Sequence, residues 1–97
     1  MKNFALFCFF AFSTFMARAQ NSPSNYVLLG DEAINEDNYT DAIENYKNAV
    51  ELNPKSSELN FKLGNAYYYS LDYKNAIKFY ERADELDKKN ALILNNI

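Results

Sequence analysis

A chain of 97 residues with 13 acidic and 10 basic side chains carries a net charge of −3. That is the wrong sign for nucleic acid or an anionic lipid surface, where a basic patch supplies most of the affinity. One cysteine and no histidine exclude an intramolecular disulfide framework and remove the commonest general base and metal ligand, so neither a metal nor a cofactor is expected.

The first residues pair a short positive end, Met1-Lys2-Asn3, with a dense apolar run over residues 4–15, and then Ala17-Arg18-Ala19 before Gln20. This is the layout of a secretory signal peptide over residues 1–19. The run is shorter than the roughly 20 apolar residues that span a bilayer, and the small residues at Ala17 and Ala19 suit cleavage after Ala19. Retention as an uncleaved anchor is the alternative, and only then would the chain meet a membrane. Cys8 lies inside the apolar run, too early for a lipidated first residue, and leaves with the peptide. Cleavage also takes Lys2 and Arg18 from the 10 basic residues, so 8 remain against 13 acidic ones, a net −5. The expected location is exported, periplasmic or secreted, and stability there must come from packing because no cysteine remains.

After a linker at residues 20–22, Ser22 is a candidate cap and Pro23 suits the first position of a helix over residues 23–36. Asp37 and Asn38 supply turn chemistry, and Asn38 or Thr40 caps a second helix that carries residues 42–52. Asn53-Pro54 ends it, because proline disfavours helix at the residue before it. Ser56 or Ser57 caps a third helix over residues 59–70, and Asp72 caps a fourth that carries Ala76, Ile77, Tyr80, Ala83 and Leu86. Asp87-Lys88-Lys89-Asn90 is expected to break the pattern, and residues 91–97 then begin a third unit or form a capping helix.

These helices repeat. An offset of 34 residues carries Leu29, Gly30, Tyr39, Ala42, Ile43, Tyr46, Ala49 and Leu52 onto Leu63, Gly64, Tyr73, Ala76, Ile77, Tyr80, Ala83 and Leu86, eight identities in register. Ala42, Tyr46 and Ala49 share one helical face. A glycine inside a helix is worse than alanine by roughly 1 kcal/mol, so Gly30 and Gly64 mark places where a neighbouring helix comes too near to admit a side chain. Tyr46 and Tyr80 fill the space beside that contact.

On Leu29, Gly30, Ala42, Tyr46, Ala49 and Pro54, and again on Leu63, Gly64, Tyr67, Ala76, Tyr80 and Ala83, the chain resembles the tetratricopeptide repeat family, a helix-turn-helix unit of this length. The resemblance covers residues 23 to 97. It implies an all-α helix-turn-helix repeat array, an α-solenoid, with one unit over residues 23–56 and a second over residues 57–90. Three positions depart from the family pattern: Tyr26 or Asn60 stands for its early tryptophan, Asp37 or Leu71 for its turn glycine, and Lys88 for its second closing proline. None sits where a close helix contact demands a small residue, so the departures bear on the turns alone.

Adjacent acidic pairs such as Asp31-Glu32 and Asp84-Glu85 point about 100° apart on a helix and read as a solvated face, so no enzyme activity is expected. The resemblance implies a function in binding protein or peptide partners in an inner groove lined by the first helix of each unit. Helical spacing puts Val27, Asp31 and Ile34 on one stripe and Phe61, Asn65, Tyr68 and Tyr69 on the other. Tyrosine is enriched at binding hot spots, and an asparagine amide can bond a peptide backbone. The alternative for Phe61 and Tyr68 is packing against a third unit. At the level of the whole protein two readings stand: an exported scaffold without chemistry of its own, or the sensory or assembly front end of a larger envelope protein, such as a signalling kinase or enzyme, whose active domain lies beyond Ile97.

Overall fold

A computed structural model describes residues 22–95, which form four helices: α1 (Pro23–Asn35), α2 (Tyr39–Leu52), α3 (Ser57–Tyr69) and α4 (Tyr73–Asn95). The expected signal peptide and its cleavage point lie outside the described residues. Among the described residues no helix is long and apolar enough to cross a membrane.

Each helix begins at a polar side chain that satisfies a backbone N–H left over by the first turn. Ser22 Oγ accepts from the Asn25 amide at 3.3 Å and Ser56 Oγ from that of Leu59 at 3.2 Å. Asn38 Oδ1 accepts from Asp41 at 3.3 Å, and Asp72 Oδ1 from Asn75 at 3.3 Å. In both of the latter an asparagine amide also donates to the facing carboxylate at 2.7 Å. The Asn and Asp have simply exchanged places between the two repeats.

The two turns within the helix pairs are the same turn. Asp37 (φ 58°) and Leu71 (φ 69°) both sit in the left-handed region. Asn38 N–H donates to Ala33 at 2.8 Å and Asp37 N–H to Ile34 at 3.0 Å. Asp72 and Leu71 do the same to Tyr67 and Tyr68, at 2.9 and 3.0 Å. This is the Schellman closure, which normally takes glycine at the left-handed position. The departures at Asp37 and Leu71 therefore leave the turn intact and load it with backbone strain instead.

Helix α1 packs on α2, α3 on α4, and α2 on α3. The glycines mark the close approaches, as their spacing implies: a Cβ built on Gly30 would stand 2.6 Å from Cδ1 of Tyr46, and one on Gly64 would stand 2.7 Å from Cδ1 of Tyr80. The core gathers Ala33 from α1, Ala42, Tyr46, Ala49 and Val50 from α2, and Leu59, Leu63 and Ala66 from α3. Asn60 lies fully buried beside it, where its amide donates to the carbonyls of Pro54 at 3.2 Å and Ser56 at 2.8 Å and clips the link between α2 and α3.

The expected break at Asp87-Lys88-Lys89-Asn90 does not occur, and α4 runs through it to Asn95. The counterpart of Pro54 is Lys88, which keeps its N–H and pairs with Asp84 one turn earlier at 3.0 Å. With neither proline nor glycine in the segment, nothing forces the backbone out of the helix, and residues 91–95 extend α4 instead of opening a new one.

Candidate functional site

The stripe of α1 and the stripe of α3 face each other across a cleft of about 240 Å³ whose floor is Tyr46 of α2. Four of the seven residues expected to line a groove meet there: Asp31 and Ile34 from α1, Asn65 and Tyr69 from α3. Lys62 and Asn35 complete the walls. The other three go elsewhere. Val27 packs against the core and borders a separate hollow near Asn53 and Leu59. Phe61, together with Asn65, faces a second and larger cleft of about 520 Å³ between α3 and α4. Tyr68 turns to Tyr73, with ring centroids 5.5 Å apart in an edge-on contact.

Within the α1–α3 cleft the polar groups are organised by Asp31. Its carboxylate accepts from the Tyr46 hydroxyl and pairs with Lys62 Nζ at 3.0 Å. One carboxylate thus ties three helices together. The Lys62 ammonium also stands over the Tyr46 ring, 6.0 Å from its centroid. Burial first, and then the bond to Asp31, push the Tyr46 phenol well above its ordinary value of 10.0, so it is a fixed donor at any physiological pH. The one lysine ammonium in the cleft is committed to Asp31, which leaves a neutral polar surface rather than a charged one.

The second repeat builds the same bond without the charge. Tyr80 Oη donates to Asn65 Oδ1 at 2.5 Å, in the position of Tyr46 and Asp31. Burial, followed by the neighbouring Tyr69 and Tyr68, raises the Tyr80 phenol. Tyr69 itself stacks on Tyr39 of α2 with centroids 5.6 Å apart and touches Tyr68 at 6.0 Å. Tyr39 in turn donates to Asp37 at 3.0 Å, and that bond raises its phenol. Tyr69 is about half exposed and held by rings on both sides, so it presents a flat aromatic edge at little entropic cost on binding.

Lys62, Tyr46 and Tyr39 escape sequence reasoning for different reasons. A lysine on a helix reads as a solvated residue, Tyr46 reads as core filler, and Tyr39 reads as part of a turn. The available signal was the charge on Asp31, which a half-buried position in a helical pair requires to be matched.

A family profile described as "TPR repeat" matches residues 30–70, and a second, described as "Tetratricopeptide repeat", matches residues 57–90. The chain carries tetratricopeptide repeats over residues 30–90. It is similar to Tetratricopeptide repeat protein 21B of Mus musculus, 35% identical over 77 residues, which are 79% of this chain and 6% of that protein. It is also similar to Anaphase-promoting complex subunit 3 of Schizosaccharomyces pombe, 43% identical over 47 residues (48% of this chain, 7% of that one). Tetratricopeptide repeat protein 6 of Homo sapiens is 33% identical over 55 residues, 57% of this chain and 11% of that one. The chain therefore spans a small fraction of the length of these relatives. Four helices with these matches make it an all-α helical repeat array.

Proposed function

We propose that this chain is an exported scaffold, without catalysis of its own, that holds a protein partner in the cleft between α1 and α3. The observation that carries the reading is the wall of that cleft, where a half-exposed, ring-buttressed Tyr69 stands beside the amide groups of Asn35 and Asn65 over a floor whose charges are internally matched. A neutral polar rim with an aromatic anchor suits an extended peptide, whose backbone amides take the asparagine hydrogen bonds. Export rests on the arrangement of residues 1–19, and N-terminal sequencing of the secreted chain should then begin at Gln20. The absence of catalysis rests on a mature chain without histidine or cysteine.

The test is co-purification of the secreted chain with its partner. Tyr69→Ala should lower recovery of the partner about tenfold, the 1.4 kcal/mol expected of a modest hot spot, with the helical circular dichroism signal unchanged. Lys47→Ala, on the exposed side of α2, should change nothing. Equal recovery from all three proteins would remove the cleft from consideration.

A second reading is favoured by the small share of its relatives that this chain spans. In it, the repeats are the sensory or assembly segment of a larger envelope protein such as a signalling kinase. The reading frame beyond Ile97 separates the two, since a membrane-spanning segment and a catalytic domain there would select the second.

A further inference from the structure

The larger cleft, between α3 and α4, is the repeat counterpart of a seat that α3 covers, with the hollow beside Val27 and the α1–α3 cleft left on either side. The offset of 34 maps Phe61, Asn65, Tyr80 and Ala83 onto Val27, Asp31, Tyr46 and Ala49. Over the first set lies α3, which buries Leu59 and Leu63 one turn apart, anchors Lys62 on Asp31, and closes Tyr46 to 3% and Ala49 to 0% exposure. Over the second set no described residue lies, and Phe61 is 53% exposed. The same backbone and the same small-and-large pattern of side chains thus present a seat shaped for a helix.

The two seats differ in where they carry charge. The floor carboxylate Asp31 has become the neutral Asn65, already engaged by Tyr80. The rim has gained three carboxylates: Glu58 stands where the first repeat has Ser24, Asp84 where it has Val50, and Asp87 where it has Asn53. All three are exposed, and among the described residues only Asp84 forms an ion pair, with Lys88 at 3.0 Å. A helix seated here meets an apolar and amide floor between acidic edges.

We propose that this face docks a basic amphipathic helix from a partner protein, with large apolar residues four apart on its buried side and lysine or arginine along both flanks. A second copy of the chain is disfavoured by the same carboxylates, which an isologous contact would bring against one another. Among the described residues the chain does not turn back into the cleft. Where α2 stops at Leu52, α4 passes the equivalent Leu86 and continues to Asn95, about 13 Å further along its axis at 1.5 Å per residue.

The test uses the whole chain and a fluorescent helical peptide of about four turns with leucines at i and i+4 and lysines on both flanks, alongside the same peptide with glutamate for every lysine. Anisotropy should give the lysine peptide at least about tenfold tighter binding than the glutamate one, with the difference shrinking as salt rises. The double variant Asp84→Lys with Asp87→Lys, both exposed and neither in the core, should weaken the lysine peptide about tenfold or more, and Phe61→Ala should weaken both peptides. Tyr69→Ala should leave these affinities unchanged, because Tyr69 does not border this cleft. Equal binding of the two peptides, or indifference to the charge reversal, would overturn the proposal. So would a concentration-dependent dimer abolished by Phe61→Glu, which would make a second copy the occupant. A gain of about tenfold or more on deleting residues 91–97 would show that the chain's own tail covers the seat, with the same consequence.

Discussion

Gly30→Ala tests whether the glycines exist for close packing, because in an ordinary helix this substitution is stabilising by about 1 kcal/mol. Here the new Cβ would stand 2.6 Å from Cδ1 and 2.9 Å from Cζ of Tyr46, where carbon atoms in contact prefer about 3.5–4.0 Å. Tyr46 is 3% exposed and its hydroxyl is held by Asp31, so the ring escapes only by giving up that bond. Overpacking of this kind costs about 1–3 kcal/mol, and a lost hydrogen bond to a charged group costs about 1.5–3 kcal/mol. Whether the ring stays or moves, the gain in propensity is exceeded, and a net loss of about 1–3 kcal/mol follows. At Gly64 the ring to be displaced is Tyr80, which borders the open α3–α4 cleft and has room to swing, although Ala76 O at 3.3 Å still limits the new atom. Gly64→Ala should therefore lose less, under about 1 kcal/mol. Urea unfolding followed by circular dichroism measures both, and repeating Gly30→Ala in a Tyr46→Ala background isolates the contact. A higher urea midpoint for Gly30→Ala than for the parent chain would refute the reasoning, as would an unchanged loss when the Tyr46 ring is absent.

Leu71 holds a left-handed conformation with its side chain 71% exposed, so Leu71→Gly should raise the urea midpoint by about 0.5–1 kcal/mol equivalent. Asp37→Gly should gain less, since Asp37 accepts from Tyr39. Because the Tyr46 phenol is raised above 10.0 in the fold, the folded chain holds that proton more tightly than the unfolded one. Stability should be level below about pH 9 and fall from pH 10 upward by as much as about 1.4 kcal/mol per pH unit from this group, and Tyr46→Phe should remove that part of the slope in a pH series of unfolding curves. Asn60→Ala should lose about 1–3 kcal/mol, because it strips the clip from the carbonyls of Pro54 and Ser56; a variant as stable as the parent would show that the α2–α3 link closes without it.

The helix pairs were legible in the sequence because close approach leaves a chemical trace: only a residue without a side chain fits beside Tyr46 or Tyr80, and it recurs with the period of the fold. The continuation of α4 was not legible. Asp87-Lys88-Lys89-Asn90 has the composition of a turn, but a turn forms where proline or an opposing contact stops the helix, and Lys88 supplies neither. In the candidate site, the 3.6-residue period brought Asp31, Ile34, Asn65 and Tyr69 to one cleft. The same period could not tell that Val27 and Phe61, equivalent in the repeat, would be parted by α3 covering one seat and leaving the other open. Nor could it show Asn60 as a buried clip, since its value lies in two carbonyls of the preceding link and not in any helical face.

The most direct test of the partner-binding cleft is site-specific photo-crosslinking of the chain, with p-benzoyl-phenylalanine placed in turn at positions 35, 69 and 47. Positions 35 and 69 face each other across the α1–α3 cleft, whereas position 47 lies on the exposed side of α2. Binding in the cleft predicts one and the same crosslinked partner from positions 35 and 69 and none from position 47. Crosslinks from position 47 alone, or different partners from the two walls of the cleft, would contradict it.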